Sequence, residues 1–492
     1  MIAVPEPKFR KSLDAMRADY RRRKTNQFAT RRQRVAQDLL PKHLIIPLMF
    51  VILVGGSAAA ALMTFGVPKT AGDPALEAAL RQVTAREQLV PLREPLAGES
   101  EQVKLGKALF FDKLLSGNKD ISCAGCHAPA FALTDAIPLS IGTGGKKLGP
   151  ERTLGEGTDF IPRHAPDLFN RGDAAWTTMM WDARIVQEPD GRVRIPDLPE
   201  PIEGLDGALA GQVVHTVMNP AEMRGMPGDL TVLKEHNELA VLEGPEAIWQ
   251  GITARVMAVE GYARQMQRAY PNTPPEEIDI RNIANAIAAY ERAALTFANT
   301  PWDRWLAGDA SAFTDRQKQG AILFYEKASC GTCHSGTLLT DQQVHNLAVP
   351  QLRPAVAGLD PGAGSFGGEA YAFRTPPLRQ VTMTAPYMHS GAYASLKDAI
   401  RQHADPAGML RKYSPKALRD DVEGLALRGA ATESALLAAV APELEAIGEL
   451  KDEEIALIIG FLEALNDPAA SELKAVVPVL PSPSALSVDY DE

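Results

Sequence analysis

Apolar positions recur at helical spacing in five stretches and almost nowhere at the spacing of a strand. Leu105, Ala108 and Leu109 share one face, Ile280, Ile283, Ile287 and Tyr290 another, and Ile322 and Leu323 mark a third. Ile455, Ile458, Ile459, Leu462 and Leu465 define a fourth. Behind Ser395, an N-cap residue type with Asp398 three positions on, Leu396, Ala399, Ile400 and His403 follow at i, i+3, i+4 and i+7. No strand-like alternation persists, so the pattern predicts a mainly α fold. From Thr134 to about Pro201 the periodicity lapses into Gly- and Pro-rich chain, which reads as loops whose core is supplied from elsewhere.

One further apolar stretch has a different character. Residues 44–65 contain no charged side chain, and 22 residues at helical rise cover the hydrocarbon core of a bilayer. Before it, residues 1–43 hold twelve Lys or Arg against four Asp or Glu, including Arg21-Arg22-Arg23-Lys24. Such a leader stays cytoplasmic and sends the rest of the chain outward. The segment is expected to be an N-terminal transmembrane helix in the inner membrane with a periplasm-facing body. The alternative, cleavage near Ser57-Ala58-Ala59-Ala60-Ala61, gives a soluble periplasmic protein.

The leader's net +8 leaves −18 on the remainder, from a total of −10. An acidic body offers nothing to a nucleic acid, and by charge favours a basic partner surface. At 492 residues, with 45% hydrophobic and 23% charged positions, the chain is long enough for two or three folded domains of ordinary composition. The expected divisions are a basic leader (1–43), the apolar span (44–65), a Pro- and Gly-containing linker (66–98), two folded domains (99–300 and 301–470) and a disordered tail (471–492).

The chain has four cysteines, and all lie in two Cys-x-x-Cys-His motifs: Cys123, Cys126 and His127, then Cys330, Cys333 and His334. At this spacing two thiols on one turn take the vinyl groups of a haem while the adjacent imidazole reaches its iron. A zinc site needs no histidine after the second cysteine and would have to join pairs about two hundred residues apart. A thioredoxin-like dithiol belongs in a strand-helix-strand unit, and neither neighbourhood reads that way. Two covalently bound haem c groups are therefore expected, one in each of two tandem cytochrome c-like domains. His403 is the candidate second ligand for the haem of His334, with Met383, Met388, His389 and Met409 as competitors.

Several blocks resemble the bacterial di-haem cytochrome c peroxidase family, which includes the methylamine-utilisation di-haem enzymes. They are Leu105 through Asp112, the two haem motifs, Trp181-Asp182-Ala183-Arg184, Asn219-Pro220-Ala221-Glu222-Met223, Ala289-Tyr290-Glu291-Arg292, Phe373 through Arg379 and Thr384 through Gly391. The resemblance spans nearly all of 99–467. It implies an oxidoreductase in which the first haem binds hydrogen peroxide and the second takes electrons from a donor cytochrome or similar carrier. Two alternatives stay open: a methylamine-utilisation-type oxidase acting on a partner protein or small molecule, and a non-catalytic di-haem electron-transfer or sensor protein.

By the same resemblance, Trp181 lies between the haems, and Glu222 and Gln212 are the polar pair beside the peroxide-binding haem. His403 falls where peroxidase members carry a Met and the methylamine-utilisation enzyme a Tyr. Imidazole there lowers the potential relative to His/Met ligation. Thr143, in Ser140-Ile141-Gly142-Thr143-Gly144, replaces a distal histidine, so the first haem is expected to be open without reductive activation. His164 and His215 are its remaining substitutes. The family's inter-haem calcium implies carbonyl ligands at Thr384 and Pro386 and an Asn where this chain has His164, an ill match for an oxygen-seeking cation. Residues 186–207 lengthen the family's spacing and are expected to remodel the rim. The family often dimerises, so a homodimer is a further expectation.

Overall fold

Two helix crossings organise the chain. The structure, a computed structural model, describes residues 72–94, 98–196, 198–353, 357–478 and 482–486. Helices are α1 (Pro74–Arg86), α2 (Glu101–Phe111), α3 (Cys123–Cys126), α4 (Gly207–Thr216), α5 (Pro245–Met257), α6 (Glu260–Ala269) and α7 (Ile280–Ala294). There follow α8 (Pro301–Leu306), α9 (Asp315–Tyr325), α10 (Leu396–Ala404), α11 (Pro406–Lys412), α12 (Ala430–Leu437) and α13 (Asp452–Glu463). The leader and the apolar span 44–65 lie outside the described residues. Among those described, no helix is long and apolar enough to cross a membrane.

In the first crossing α2 packs on α7. Ser100 caps α2 by accepting from Val103 N, and Asp279 with Asn282 forms a capping box for α7. The face Ile280, Ile283, Ile287 and Tyr290 turns inward as its spacing requires. The axes approach so closely that a Cβ at Gly106 would stand 1.8 Å from the Ala286 carbonyl oxygen. The second crossing repeats the arrangement: α9 packs on α13, and a Cβ at Gly320 would stand 2.0 Å from the Leu457 carbonyl oxygen. Each crossing carries an aromatic pair at its haem-motif end, Phe110 with Tyr290 at 5.3 Å and Phe324 with Phe461 at 5.2 Å.

Each crossing owns a hydrophobic core. The first runs from Leu92 to Ala298 and adds Leu338, Ala470 and Leu473; the second joins Leu80 and Val83 to residues from Trp302 to Leu465. Two expectations need correction. Within the expected linker, α1 is a core element, with Leu80 fully buried and Glu77 accepting from Trp305 Nε1 at 3.0 Å. The tail is not wholly disordered: Leu473 is buried in the first core, and the hydroxyls of Ser482 and Ser484 donate to Asp112. The lengthened segment after Trp181 forms part of a small antiparallel sheet, β1 (Thr178–Met179), β2 (Ile185–Gln187) and β3 (Val193–Arg194), whose strands are too short to show alternation.

Candidate functional site

Both cysteine motifs sit on single turns that follow the first helix of their crossing, α3 for the first and a 3-10 turn at Cys330–Thr332 for the second. Each motif histidine is tied at Nδ1 to a carbonyl, His127 to Leu133 at 3.2 Å and His334 to Leu339 at 3.1 Å. That leaves Nε2 of each imidazole for a metal, with the ring orientation fixed by the second bond. Burial pushes both rings down to about 4, so each is neutral at physiological pH, as a ligand must be.

Two large cavities open beside these motifs. Cys123, Cys126 and His127 line the first, whose empty volume is about 1600 Å³ with its mouth included; Cys330, Cys333 and His334 line the second, about 1410 Å³. Buried polar atoms without a protein partner occur in their walls, Glu291 Oε2 in the first and His389 Nε2 in the second. Large, mostly apolar chambers with a free imidazole nitrogen, two thiols and orphaned polar groups fit a covalently held haem in each. A shared zinc does not fit. Among the described residues, the one group of three metal-ligating side chains close enough to share an ion is Cys333, Asp341 and His345, which contains a single cysteine.

The far walls of the two cavities differ. In the second, α10 brings His403 opposite His334, with ring centroids 6.3 Å apart. That separation leaves room for a metal between the two imidazoles. His403 Nδ1 is tied to Ala399 O at 2.8 Å, again leaving Nε2, and burial lowers its pKa. Of the competitors, Met388 and His389 line the cavity too, whereas Met409 packs with Tyr393 elsewhere.

In the first cavity, the wall carries Glu222, Gln212, Thr216 and Arg184, and among the described residues no ring pair of the 334–403 kind involves His127. Gln212 and Thr216 come from one face of α4. Glu222 sits on a short turn, Pro220–Arg224, that follows it. Glu222 is half-buried, its open side facing the cavity, and desolvation raises its pKa to about 7 against the pull of Arg184, the Thr216 hydroxyl and Arg163. Thr143 turns elsewhere: its hydroxyl donates to Asp120 at 2.8 Å and its N–H to the Glu222 carbonyl at 3.0 Å. His215 is buried within α4 and does not line the cavity. His164 does line it, with Nδ1 held by Ile137 O at 2.8 Å.

Trp181 lines both cavities. Its indole N–H donates to His164 O at 2.8 Å and its carbonyl accepts from Arg374 N at 2.6 Å. Next to it, Asp182 accepts from Arg163 at 2.6 Å and from Arg184, and Arg163 also binds Asp360 through two bonds of 2.8 and 2.9 Å. Sequence reasoning missed Arg163 and Asp360; their sole signal is the charged Trp-Asp-Ala-Arg block beside which they fold. For calcium, the chain offers the carbonyls of Thr384 and Pro386 and, at 164, an imidazole already bonded to Ile137. Nitrogen is a poor donor to a hard cation, so this set does not fit.

Comparison with known proteins adds an independent line. A family model described as di-haem cytochrome c peroxidase matches residues 100–311. Methylamine utilization protein MauG of Methylorubrum extorquens is 31% identical over 370 residues, 74% of this chain and 85% of the relative. Cytochrome c551 peroxidase of Pseudomonas aeruginosa is 29% identical over 346 residues, 69% and 80% of the two chains. Among solved structures, a MauG-like protein associated with microbial copper homeostasis aligns with a TM-score of 0.53 at 26% identity, covering 77% of this chain and 95% of that one.

Proposed function

Since the chain belongs to the di-haem cytochrome c peroxidase family, we propose that it reduces hydrogen peroxide to water with electrons from a donor cytochrome or similar carrier. The observation that carries this reading is the difference between the far walls: a histidine faces His334, and a carboxyl and an amide face the cavity of His127. When bound, the two haems supply an iron that accepts peroxide and a second iron that stores and passes an electron.

The chain's own residues supply the rest. Each peroxide takes two electrons and two protons and yields two waters. Gln212 orients the peroxide by its amide. Glu222, poised near neutrality, takes the proton from the inner oxygen and delivers it to the outer one, so that water is the leaving group. His334 and His403 are the residues that would hold the electron-transfer haem, and Trp181, pinned at both ends, provides the aromatic bridge between the cavities. Thr143, bonded to Asp120, leaves the peroxide side open.

A second reading, oxidation of a partner protein or small molecule, is favoured by the identity to the methylamine-utilisation relative. Steady-state turnover of peroxide with reduced cytochrome c separates the two. Rapid turnover, lost in Glu222→Gln, supports the peroxidase, whereas stoichiometric peroxide consumption without cytochrome oxidation favours the oxidase. We further propose that the apolar span 44–65 delivers the body to the periplasmic side, tethered or cleaved, where covalent haem attachment takes place. Detection of the leader by mass spectrometry of the purified protein decides between them.

A further inference from the structure

The turn that carries Glu222 is held more tightly than a surface loop needs. Asn219 O accepts from Met223 N at 3.0 Å and Arg224 N at 2.9 Å; Gly117 N donates to Met223 O at 2.7 Å, and Thr143 N to Glu222 O at 3.0 Å. A Cβ at Gly142 would stand 2.0 Å from Ala221 O and 2.8 Å from the Glu222 Cα, so the 140–144 loop lies directly against the turn. These contacts fix where the Glu222 backbone is. They do not fix where its proton is.

The Asn219 side chain does that. Its Oδ1 accepts from Ala221 N at 3.0 Å and Glu222 N at 3.3 Å, which assigns the amide orientation, since only oxygen accepts from two N–H groups. Its Nδ2 must then point the other way, and it donates to Glu222 Oε1 at 2.8 Å. An oxygen that accepts from an amide N–H is the poorer place for a proton.

We propose that Asn219 is a positioning residue that selects the proton-bearing oxygen of Glu222: the amide occupies Oε1, and the mobile proton resides on Oε2. The inference rests on the role given to Glu222 above and deepens it. The two halves of the Asn219 side chain do separate jobs, Oδ1 capping the turn and Nδ2 holding the carboxyl. Other groups face this carboxyl as well. The Thr216 hydroxyl comes from α4, and the guanidinium groups of Arg184 and Arg163 stand nearby, already paired with Asp182 and Asp360. Asp120 is engaged by the 140–144 loop, accepting from the Thr143 hydroxyl at 2.8 Å and from Gly144 N at 2.5 Å. The Thr216 hydroxyl is a neutral donor too; the bond that the geometry assigns to Oε1 is that of Asn219 Nδ2, at 2.8 Å.

Two substitutions separate the jobs. Asn219→Asp keeps an acceptor for the turn and replaces the donor with a second carboxylate oxygen facing Glu222; Asn219→Ser keeps a capping hydroxyl but is too short to reach Oε1. Both are measured in the haem-loaded protein for kcat/KM with peroxide across pH and, without any donor, for the stopped-flow rate of peroxide binding. The acidic limb of both profiles should move to higher pH in the order wild type, Asn219→Ser, Asn219→Asp. The last should shift by about one unit or more, with a fall of about fivefold or more at pH 7, because losing a donor and adding a like charge both disfavour the ionised carboxyl. Haem content and unfolding midpoint should stay near wild type. Profiles that superimpose on wild type, while Glu222→Gln loses about a hundredfold or more, would reduce Asn219 to a cap and overturn the proposal alone. Wild-type turnover in Glu222→Gln would overturn the role of Glu222 and this proposal with it.

Discussion

The two cavities share a near wall and differ at the far one. On the near side each has two cysteines, a histidine tied through Nδ1 to a carbonyl, and a helix crossing closed at a glycine. Beyond that, the second cavity presents His403 from the apolar face of α10, and the first presents Glu222, Gln212 and Thr216 from α4 and the turn after it. The attachment motif is thus a repeated device, and the proposed division of function rests on the side chains of the far walls. A sixth ligand makes an electron carrier; a carboxyl beside an open position makes a place for peroxide.

That comparison can be broken most severely at Glu222. Glu222→Gln should lower kcat/KM for peroxide by about 10²–10⁴-fold, the range of a lost acid–base group, while the spectrum of the second haem stays unchanged. The pH profile follows with its sign. With its pKa raised to about 7, Glu222 is ionised above that value and protonated below it. As the base that takes the first proton it should lose activity as pH falls through 7, and the glutamine variant should lack that limb. His403→Met tests the other wall. It should raise the potential of the second haem within the roughly 0.8 V span that axial ligands command, measured by redox titration, and leave peroxide binding at the first intact. The smallest effects fall on what the sites share. Gly106→Ala and Gly320→Ala each push a methyl into a backbone carbonyl and should cost about 1–3 kcal/mol, read by denaturant unfolding of the haem-loaded protein. If only one did so, the two crossings would not be equivalent.

The sequence carried the local features well. Two thiols and an imidazole within five residues are one turn of chain, so nothing distant was needed to read them. His403 was legible because the spacing of Leu396, Ala399 and Ile400 aims it inward. The loops after Thr134 carried no periodicity because they fold around the cavity rather than on one another. What was hidden depends on distant neighbours. Arg163 and Asp360 meet across almost two hundred residues, and α1 joins the second core from a stretch that reads as linker. The tail shows the same: Ala470 and Leu473 are apolar but short in run, and their partner is the first core, far back in the chain. Glu222 alone would pass for a solvated carboxylate. Its raised pKa comes from burial, against the pull of Arg184 and Thr216, and no local pattern announces that.

The central claim is that one iron is closed by His403 and the other open beside Glu222. Electron paramagnetic resonance of the fully oxidised, haem-loaded protein, with and without hydrogen peroxide, tests it most directly. One high-spin ferric signal and one bis-histidine low-spin signal, with only the high-spin signal lost on adding peroxide, is the expected result. Two low-spin signals indifferent to peroxide would contradict it.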